Sequence, residues 1–332
     1  DDGKPTPKGM AATLRNLREI APTVYFNVPK GFEEIAAAMD SDTVLRDNLF
    51  KRCKAFMFAG AGLAQAVWDK LDAHGEAAVG ERLRMVTGLG MTETAPACMF
   101  AVGTDTRSGH IGLPVPGVEV KLVKDASTGG KLEIRFKGPN VMPGYWRAPE
   151  QTADAFDDEG FYRTGDAGRL IDPDDIQKGV FFDGRTAEDF KLSSGTFVSV
   201  GPLRGKIIAA GAPYIQDVVL TGLNMKEVGA MVFPTPAVRQ LAGLAPDASL
   251  HDVLDAPGVL AQFQKIVDEL ARNATGSANR IARLCLLADP PTIDRGEVTD
   301  KGSINQRAVL THRAETVARL HDDTLHAILK PQ

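Results

Sequence analysis

Hydrophobic residues recur along this chain at two different spacings, and the change from one to the other divides it. After the turn residues Pro29-Lys30-Gly31, the residues Phe32, Ile35, Ala36 and Met39 fall on one stripe at helical spacing. Lys54-Ala55-Phe56-Met57-Phe58 is a short apolar run that predicts a buried strand, ended by Gly60-Ala61-Gly62. Leu63, Val67 and Leu71 predict the next helix, and Leu83, Met85 and Thr87 a second short strand. This rhythm of strand, glycine and helix predicts a layered α/β domain with ligands at the strand ends.

From about residue 110 the period becomes two. Val118, Val120 and Leu122 alternate, as do Leu132, Ile134 and Phe136, and Thr128-Gly129-Gly130 between them is a hairpin-type turn. Gly, Pro and Asp punctuate the chain through residue 184, which predicts a small, mostly β subdomain. Residues 186–332 read as a separate α+β unit, with strands at Tyr214–Gly222, Gly229–Phe233 and Ile281–Leu287. Pro257 opens a helix with Leu260, Phe263, Val267 and Leu270 on one side. Ile304–Leu320 is expected to be one terminal helix, and Ala237–Ser249 a mobile surface loop. The expected domains are 1–184, made of an α/β layer (1–109) and the β subdomain (110–184), and 185–332.

At 332 residues the chain is too long for one ordinary core. With 43% hydrophobic and 24% charged residues, it has the composition of a soluble globular protein. A net charge of −5 and the lack of any basic tract exclude the nucleic-acid-binding class. Cys53, Cys98 and Cys285 are far apart and odd in number, which predicts reduced core thiols and a cytoplasmic protein. No apolar run is long enough to span a membrane. The opening Asp1-Asp2-Gly3-Lys4-Pro5, without an initiator Met, reads as the middle of a longer protein.

Four motifs carry chemistry. Gly88-Leu89-Gly90-Met91-Thr92-Glu93-Thr94-Ala95-Pro96 sets a hydroxyl and a carboxylate directly after two glycines. Such a turn can hold a phosphate and its cation, or simply start a helix. Tyr162-Arg163-Thr164-Gly165-Asp166-Ala167-Gly168 offers a carboxylate that can take a vicinal diol, or forms an ordinary surface turn. Phe181-Phe182-Asp183-Gly184-Arg185 places a planar guanidinium after a tight turn, suited to phosphate or ribose oxygens or to a surface ion pair. Lys301 stands in the Gly-flanked stretch 294–302, where it can serve as a mobile point charge or a solvated loop lysine.

In this order the motifs resemble the adenylate-forming superfamily of acyl-CoA synthetases, luciferases and peptide-synthetase adenylation domains. Gly60-Ala61-Gly62-Leu63 looks like its adenine-side loop, Gly90-Met91-Thr92-Glu93 its Gly-x-Thr-Glu signature, and Tyr162–Gly168 its Tyr-x-Thr-Gly-Asp motif. The stretch from Gly184-Arg185 to Gly195 resembles the start of its mobile C-terminal domain. The wording Phe190-Lys191-Leu192-Ser193 is similar to the long-chain branch, and residues 296–309 to feruloyl-CoA synthetases.

The resemblance implies an α/β large domain followed by a small mobile α+β domain. It implies an AMP-forming acid–thiol ligase that uses ATP, Mg²⁺ and CoA on a carboxylic acid, a hydroxycinnamate by its closest branch. By the same resemblance Thr92 would bond the α-phosphate, Glu93 would hold Mg²⁺, and Asp166 and Arg185 would take the ribose. Phe182 would pack on the nucleoside beside Gly60, Ala61 and Gly62. Lys301 would bridge the substrate carboxylate and the α-phosphate, and Lys191 would approach the nucleotide after a turn about Ala187-Glu188. Gly60, Gly88, Gly90 and Met91 would border the acyl group. The chain departs from the family at Leu89, where a Tyr usually stacks on adenine, at Ala187 in the hinge, and at Glu297, where many members have Gly-Lys. The family's Ser/Thr/Gly-rich phosphate loop is not found before Gly60, so the piece is expected to be inactive alone. A fatty or aliphatic acyl-CoA synthetase is the competing enzyme reading, and a non-catalytic partner-binding remnant the reading from another class.

Overall fold

The apolar stripe at 32, 35, 36 and 39 is the buried face of a helix, α2 (Pro29–Met39), in the computed structural model of the chain. The structure describes residues 7–124, 130–245, 247–299 and 303–332. It divides into two units, Asp1–Thr186 and Ala187–Gln332.

The first unit begins with α1 (Pro7–Glu19), β1 (Val24–Asn27), α2, α3 (Thr43–Phe50), β2 (Ala55–Phe58), α4 (Gln65–Val79) and β3 (Arg84–Leu89). Each helix starts for a local reason. Pro29 occupies the first turn of α2, where its missing N–H costs nothing. The Asp42 carboxylate caps α3 by accepting from the Leu45 N–H at 2.9 Å. Strands β1, β2 and β3 pair in parallel. One face of these strands is covered by helices: Phe32, Phe50 and Phe56 meet there, with ring centroids of both Phe32 and Phe50 5.4 Å from that of Phe56. On the other face of β1, Val24 and Phe26 are 56% and 58% exposed.

After β3 the pairing becomes antiparallel. The strands β4 (Met99–Ala101), β5 (His110–Pro114), β6 (Glu119–Lys124), β7 (Leu132–Lys137), β8 (Tyr162–Leu170) and β9 (Val180–Arg185) follow, with α5 (Pro149–Ala155) between β7 and β8. The described strands of this unit form one sheet in the order β1-β2-β3-β4-β5-β9-β8-β7-β6. The α/β layer and the β region are thus one hydrogen-bonded surface joined through β3–β4. The β6–β7 pair is antiparallel from Glu119↔Lys137 to Lys124↔Leu132; of its turn, residues 128 and 129 lie outside the described residues.

The second unit contains β10 (Phe190–Lys191), β11 (Phe197–Val198), α6 (Val200–Ala210), β12 (Ile215–Thr221), β13 (Val228–Pro234), α7 (Arg239–Ala242), α8 (Leu250–Leu254), α9 (Pro257–Arg272), β14 (Ile281–Leu286), α10 (Gln306–His312) and α11 (Ala314–His321). Its main sheet runs β12-β13-β14, antiparallel then parallel. Three expectations are corrected here. The buried face of α9 is Val259, Phe263, Ile266, Val267 and Ala271, while Leu260 and Leu270 sit at its flanks, because the stripe follows the helix period of 3.6 from Val259. The terminal helix is two helices broken at Arg313, whose guanidinium is bonded elsewhere. The stretch expected as a loop at 237–249 contains a helical turn at Pro236–Val238 and α7, anchored by the fully buried Val238 and by Arg239 donating to the Ala248 carbonyl at 2.8 Å.

All three cysteines are buried and free, and burial pushes the Cys285 thiol up to about 12. No helix among the described residues is long and apolar enough to cross a membrane. Phe56→Ala should lower the unfolding free energy of the first unit by about 3–5 kcal/mol, through lost burial and the cavity left behind. Phe26→Ala should change it by no more than about 0.5 kcal/mol. Urea unfolding of the two variants checks the contrast.

Candidate active site

Adjacent parallel strands β2 and β3 end on the same side of the sheet, the usual place for ligands in α/β layers. Gly60-Ala61-Gly62 follows β2, and Gly90-Met91-Thr92-Glu93 follows β3. Thr92–Thr94 form a single 3₁₀ turn, not the start of an α-helix. The turn is held tightly. The Thr94 hydroxyl accepts from the Met91 N–H at 3.0 Å, and the Asn140 side-chain amide donates to the Thr94 and Ala97 carbonyls, both at 2.9 Å.

The glycines of this turn have a structural cause. A Cβ on Gly88 would lie 2.1 Å from the Met99 carbonyl oxygen, and one on Gly90 would lie 1.7 Å from that of Pro96. The space they leave is filled by the chain's own backbone as it returns into β4. Gly88 and Gly90 thus allow the reversal into β4, a packing cause that stands beside the role expected of them at the acyl group. Leu89, Met91 and Phe182 are half-buried and pack against one cluster built on Cys98, Met99, Ile111, Ile134 and Phe136.

Around the turn the structure gathers oxygen ligands. The Tyr145 hydroxyl donates to Glu93 Oε1 at 3.0 Å and lies 3.4 Å from the Tyr162 hydroxyl. The Glu93 carbonyl accepts from the Met142 N–H at 2.8 Å. Burial, then the Tyr145 hydroxyl and the charges of Glu93 and Asp166, push the Tyr162 phenol well above its ordinary range, so it stays protonated. Tyr162 is thus within electrostatic reach of both carboxylates. Asp166 is 9% exposed and pairs in register with Arg185 across β8–β9, with Arg185 Nε 3.7 Å from Asp166 Oδ1. A buried carboxylate beside an exposed guanidinium can accept two hydroxyls of a diol while the cation answers its charge. Thr92 is exposed next to Glu93.

Among the described residues no group of three or more His, Cys, Asp or Glu is placed to hold a metal ion. Glu93 supplies one hard oxygen ligand steadied by Tyr145. That fits Mg²⁺ only where phosphate and water complete the shell, which is how Mg²⁺ is commonly bound.

The other expected residues belong to the second unit. Lys191 is exposed on β10. Lys301 lies outside the described residues; the residues on either side of that stretch are bonded to one another. Thr299 N–H donates to the Ser303 carbonyl at 2.9 Å, Asn305 N–H to the Glu297 carbonyl at 2.9 Å, and Val298 bridges Ile304. Glu297 is fully buried and gripped by Arg313, Nε to Oε1 at 2.9 Å and Nη2 to Oε2 at 3.0 Å. Arg313 also donates to the Asp289 and Pro290 carbonyls, at 2.9 and 3.2 Å. Glu297, read from sequence only as a departure from the family, is the anchor of this loop. Ala187 and Glu188 lie at the boundary between the units, in a short 3₁₀ turn.

Tyr145, Asn140 and Thr186 were not readable as site residues. Tyr145 stands between Gly144 and Trp146 with no period or motif around it, and only the fold carries it to Glu93.

The description AMP-binding enzyme matches residues 2–146, and AMP-binding enzyme C-terminal domain matches residues 189–324. A probable CoA ligase of Humulus lupulus is 26% identical over 278 residues, 78% of this chain and 43% of its own length. A long-chain-fatty-acid–CoA ligase of Mycobacterium bovis is 26% identical over 282 residues, 84% of this chain and 44% of its own length. The chain thus spans less than half the length of these relatives. The crystal structure of an anthranilate CoA ligase with anthranoyl-AMP superposes with a TM-score of 0.67 at 20% identity, over 95% of this chain and 53% of that one. The adenylation domain of a carboxylic acid reductase from Segniliparus rugosus, with AMP and a carboxylic acid, gives 0.68 at 22% identity, over 95% and 49%. The fold is accordingly that of adenylate-forming domains.

The Arg313 guanidinium, outweighing burial, holds the Glu297 carboxyl below its ordinary value of 4.5. A depressed folded pKa means the pair's contribution is fully present above 4.5 and lost as pH falls through the lower folded value. Glu297→Ala should destabilise the second unit by about 3 kcal/mol at neutral pH. The difference from the unsubstituted chain should narrow as urea unfolding is repeated below pH 4.5.

Proposed function

The chain belongs to the AMP-binding family of enzymes, and from that premise we propose that the whole protein is an AMP-forming acid–thiol ligase. It would activate a carboxylate with ATP as an acyl-adenylate and pass the acyl group to the thiol of CoA. The observation that carries this reading is Glu93, directly after β3 and bonded by the Tyr145 hydroxyl that also lies 3.4 Å from Tyr162, with Asp166 further along the Tyr162 strand paired to Arg185.

The first half-reaction brings a carboxylate and a phosphate together, so the site has to answer two negative charges and align them. In our reading Thr92 donates to the α-phosphate and Asp166 accepts from the ribose hydroxyls, with Arg185 supporting the same sugar. Phe182 and the Gly60-Ala61-Gly62 loop border the nucleoside, and Met91 and Gly60 face the acyl side. Glu93, steadied by Tyr145, would hold Mg²⁺, which supplies charge neutralisation at the phosphates when bound. Lys301 bridges the two reacting anions, and Lys191 serves the thioester step after a rotation about Ala187-Glu188.

We take the acid to be a hydroxycinnamate, on the wording of residues 296–309 alone. Long-chain fatty acids are the second reading, because relatives so named match most of the chain. These 332 residues are expected not to release pyrophosphate by themselves.

Three measurements test this. The chain should bind AMP, and Asp166→Ala should weaken binding at least about tenfold, the worth of a charge-assisted hydrogen bond. Unchanged affinity would remove the ribose contact, and no ATP binding even by the whole protein would favour the partner-binding remnant. In the whole protein, Lys301→Ala should slow adenylate formation while leaving CoA attack on a preformed adenylate largely intact. Equal loss in both steps would contradict its role. Pyrophosphate release measured across hydroxycinnamates and medium- and long-chain fatty acids decides the acid, and turnover by the 332-residue chain alone would refute its inactivity.

A further inference from the structure

Asp166 sits in a fault of the sheet. On one side of β8 the register runs Arg135↔Arg163 and then Glu133↔Ala167, so Ile134 alone lies opposite Thr164, Gly165 and Asp166. The residues in excess have no ladder partners on β7, and a buried backbone group without a partner is costly. Side chains take over. Thr164 Oγ1 donates to the Ile134 carbonyl at 2.6 Å and accepts from the Asp166 N–H at 3.0 Å. Thr186 Oγ1 donates to the Gly165 carbonyl at 3.0 Å. The Gly165 N–H donates to Glu133 Oε1 at 3.2 Å. Gly165 itself is in the left-handed region, φ +70°, where a side chain would be strained.

The acceptor for Gly165 is the unusual choice. Glu133 and the Arg135 that answers it are each only 7% exposed. Arg135 Nε donates to Glu133 Oε2 at 2.8 Å, and its Nη1 donates to Asp157 Oδ2 at 2.9 Å. Asp157 is fixed in turn by the Phe161 N–H at 2.9 Å and the Lys121 ammonium at 2.8 Å. A buried ion pair is a poor source of stability, since well-packed apolar side chains of similar volume often do as well or better. What an apolar pair cannot provide is a fixed oxygen aimed at one N–H inside a bulge.

We infer that Glu133, held by Arg135 and Asp157, is a positioning residue that fixes the Thr164–Asp166 bulge and so aims the Asp166 carboxylate at the ribose diol of the nucleotide. The inference rests on the ribose reading of Asp166. Glu133 touches no ligand and acts through the backbone of Gly165.

The test pairs two variants of the 332-residue chain. Glu133→Leu/Arg135→Met removes both buried charges together, which keeps the packing while deleting the acceptor. Glu133→Gln keeps an oxygen for the Gly165 N–H. Each is titrated with AMP and with 2′,3′-dideoxy-AMP, and hydrogen exchange of the Gly165 amide is followed. The unsubstituted chain and Glu133→Gln should prefer AMP to the dideoxy nucleotide. The double variant should lose that preference, about tenfold, with dideoxy-AMP binding unchanged. Its Gly165 amide should exchange faster. A double variant that keeps both the preference and the protected amide overturns the inference. If the unsubstituted chain itself shows no preference, the ribose reading of Asp166 fails. The exchange of Gly165 then decides the positioning role separately: unchanged exchange refutes it and faster exchange upholds it.

Discussion

The reversal between β3 and β4 is the constraint on which the first unit depends. Up to Leu89 the chain builds a parallel layer, and from Met99 it builds an antiparallel one. Joining them in one sheet forces the backbone at Pro96 and Met99 onto Gly88 and Gly90 at distances no Cβ allows. The same turn carries Thr92 and Glu93. The residues that make the sheet continuous therefore also set the hydroxyl and carboxylate at its edge. Asn140 and Met142, bonding the turn from beyond β7, tie it to the β region that bears Asp166.

Two buried ionic arrangements serve loops more than cores. In the first unit Glu133 and Arg135 stand behind the bulge in β8; in the second, Glu297 and Arg313 stand behind the irregular stretch from Asp289 to Thr292. Both place a carboxylate where backbone N–H groups would otherwise be unanswered, those of Gly165 and Thr292. Both answer the charge with an arginine whose planar fork bonds more than one group. A buried charge tolerates only one geometry well, so such pairs hold irregular backbone more firmly than apolar contacts can.

Much of the fold was legible in the chain's periodicity. The stripe of Phe32, Ile35, Ala36 and Met39 is the buried face of α2, and the strands expected near residues 55, 84, 215, 228 and 281 are present. Where the structure departs from the periodicity, side-chain bonds that no period reveals are found. The terminal helix is interrupted at Arg313, which propensity favours as helical but which stands at φ −111° and ψ 29°, with its guanidinium engaged by Glu297 and by carbonyls before it. The stretch 237–249 holds a helical turn and α7 among its described residues, with Val238 buried and Arg239 bonded to the Ala248 carbonyl.

The sequence by itself determined the family, the α/β and α+β character of the two parts, and the carboxylates and cations that the family motifs bring. These are local properties: a period of apolar residues, a turn-forming glycine, a carboxylate beside it. Only the tertiary structure decided why Gly88 and Gly90 are glycines, that Tyr145 reaches Glu93, and that Glu133 supports Gly165. The physical reason is that each depends on a backbone or side chain elsewhere, eleven and six residues on for the two glycines and 52 and 32 residues away for Tyr145 and Glu133, brought into contact by the fold and not by any period along the chain.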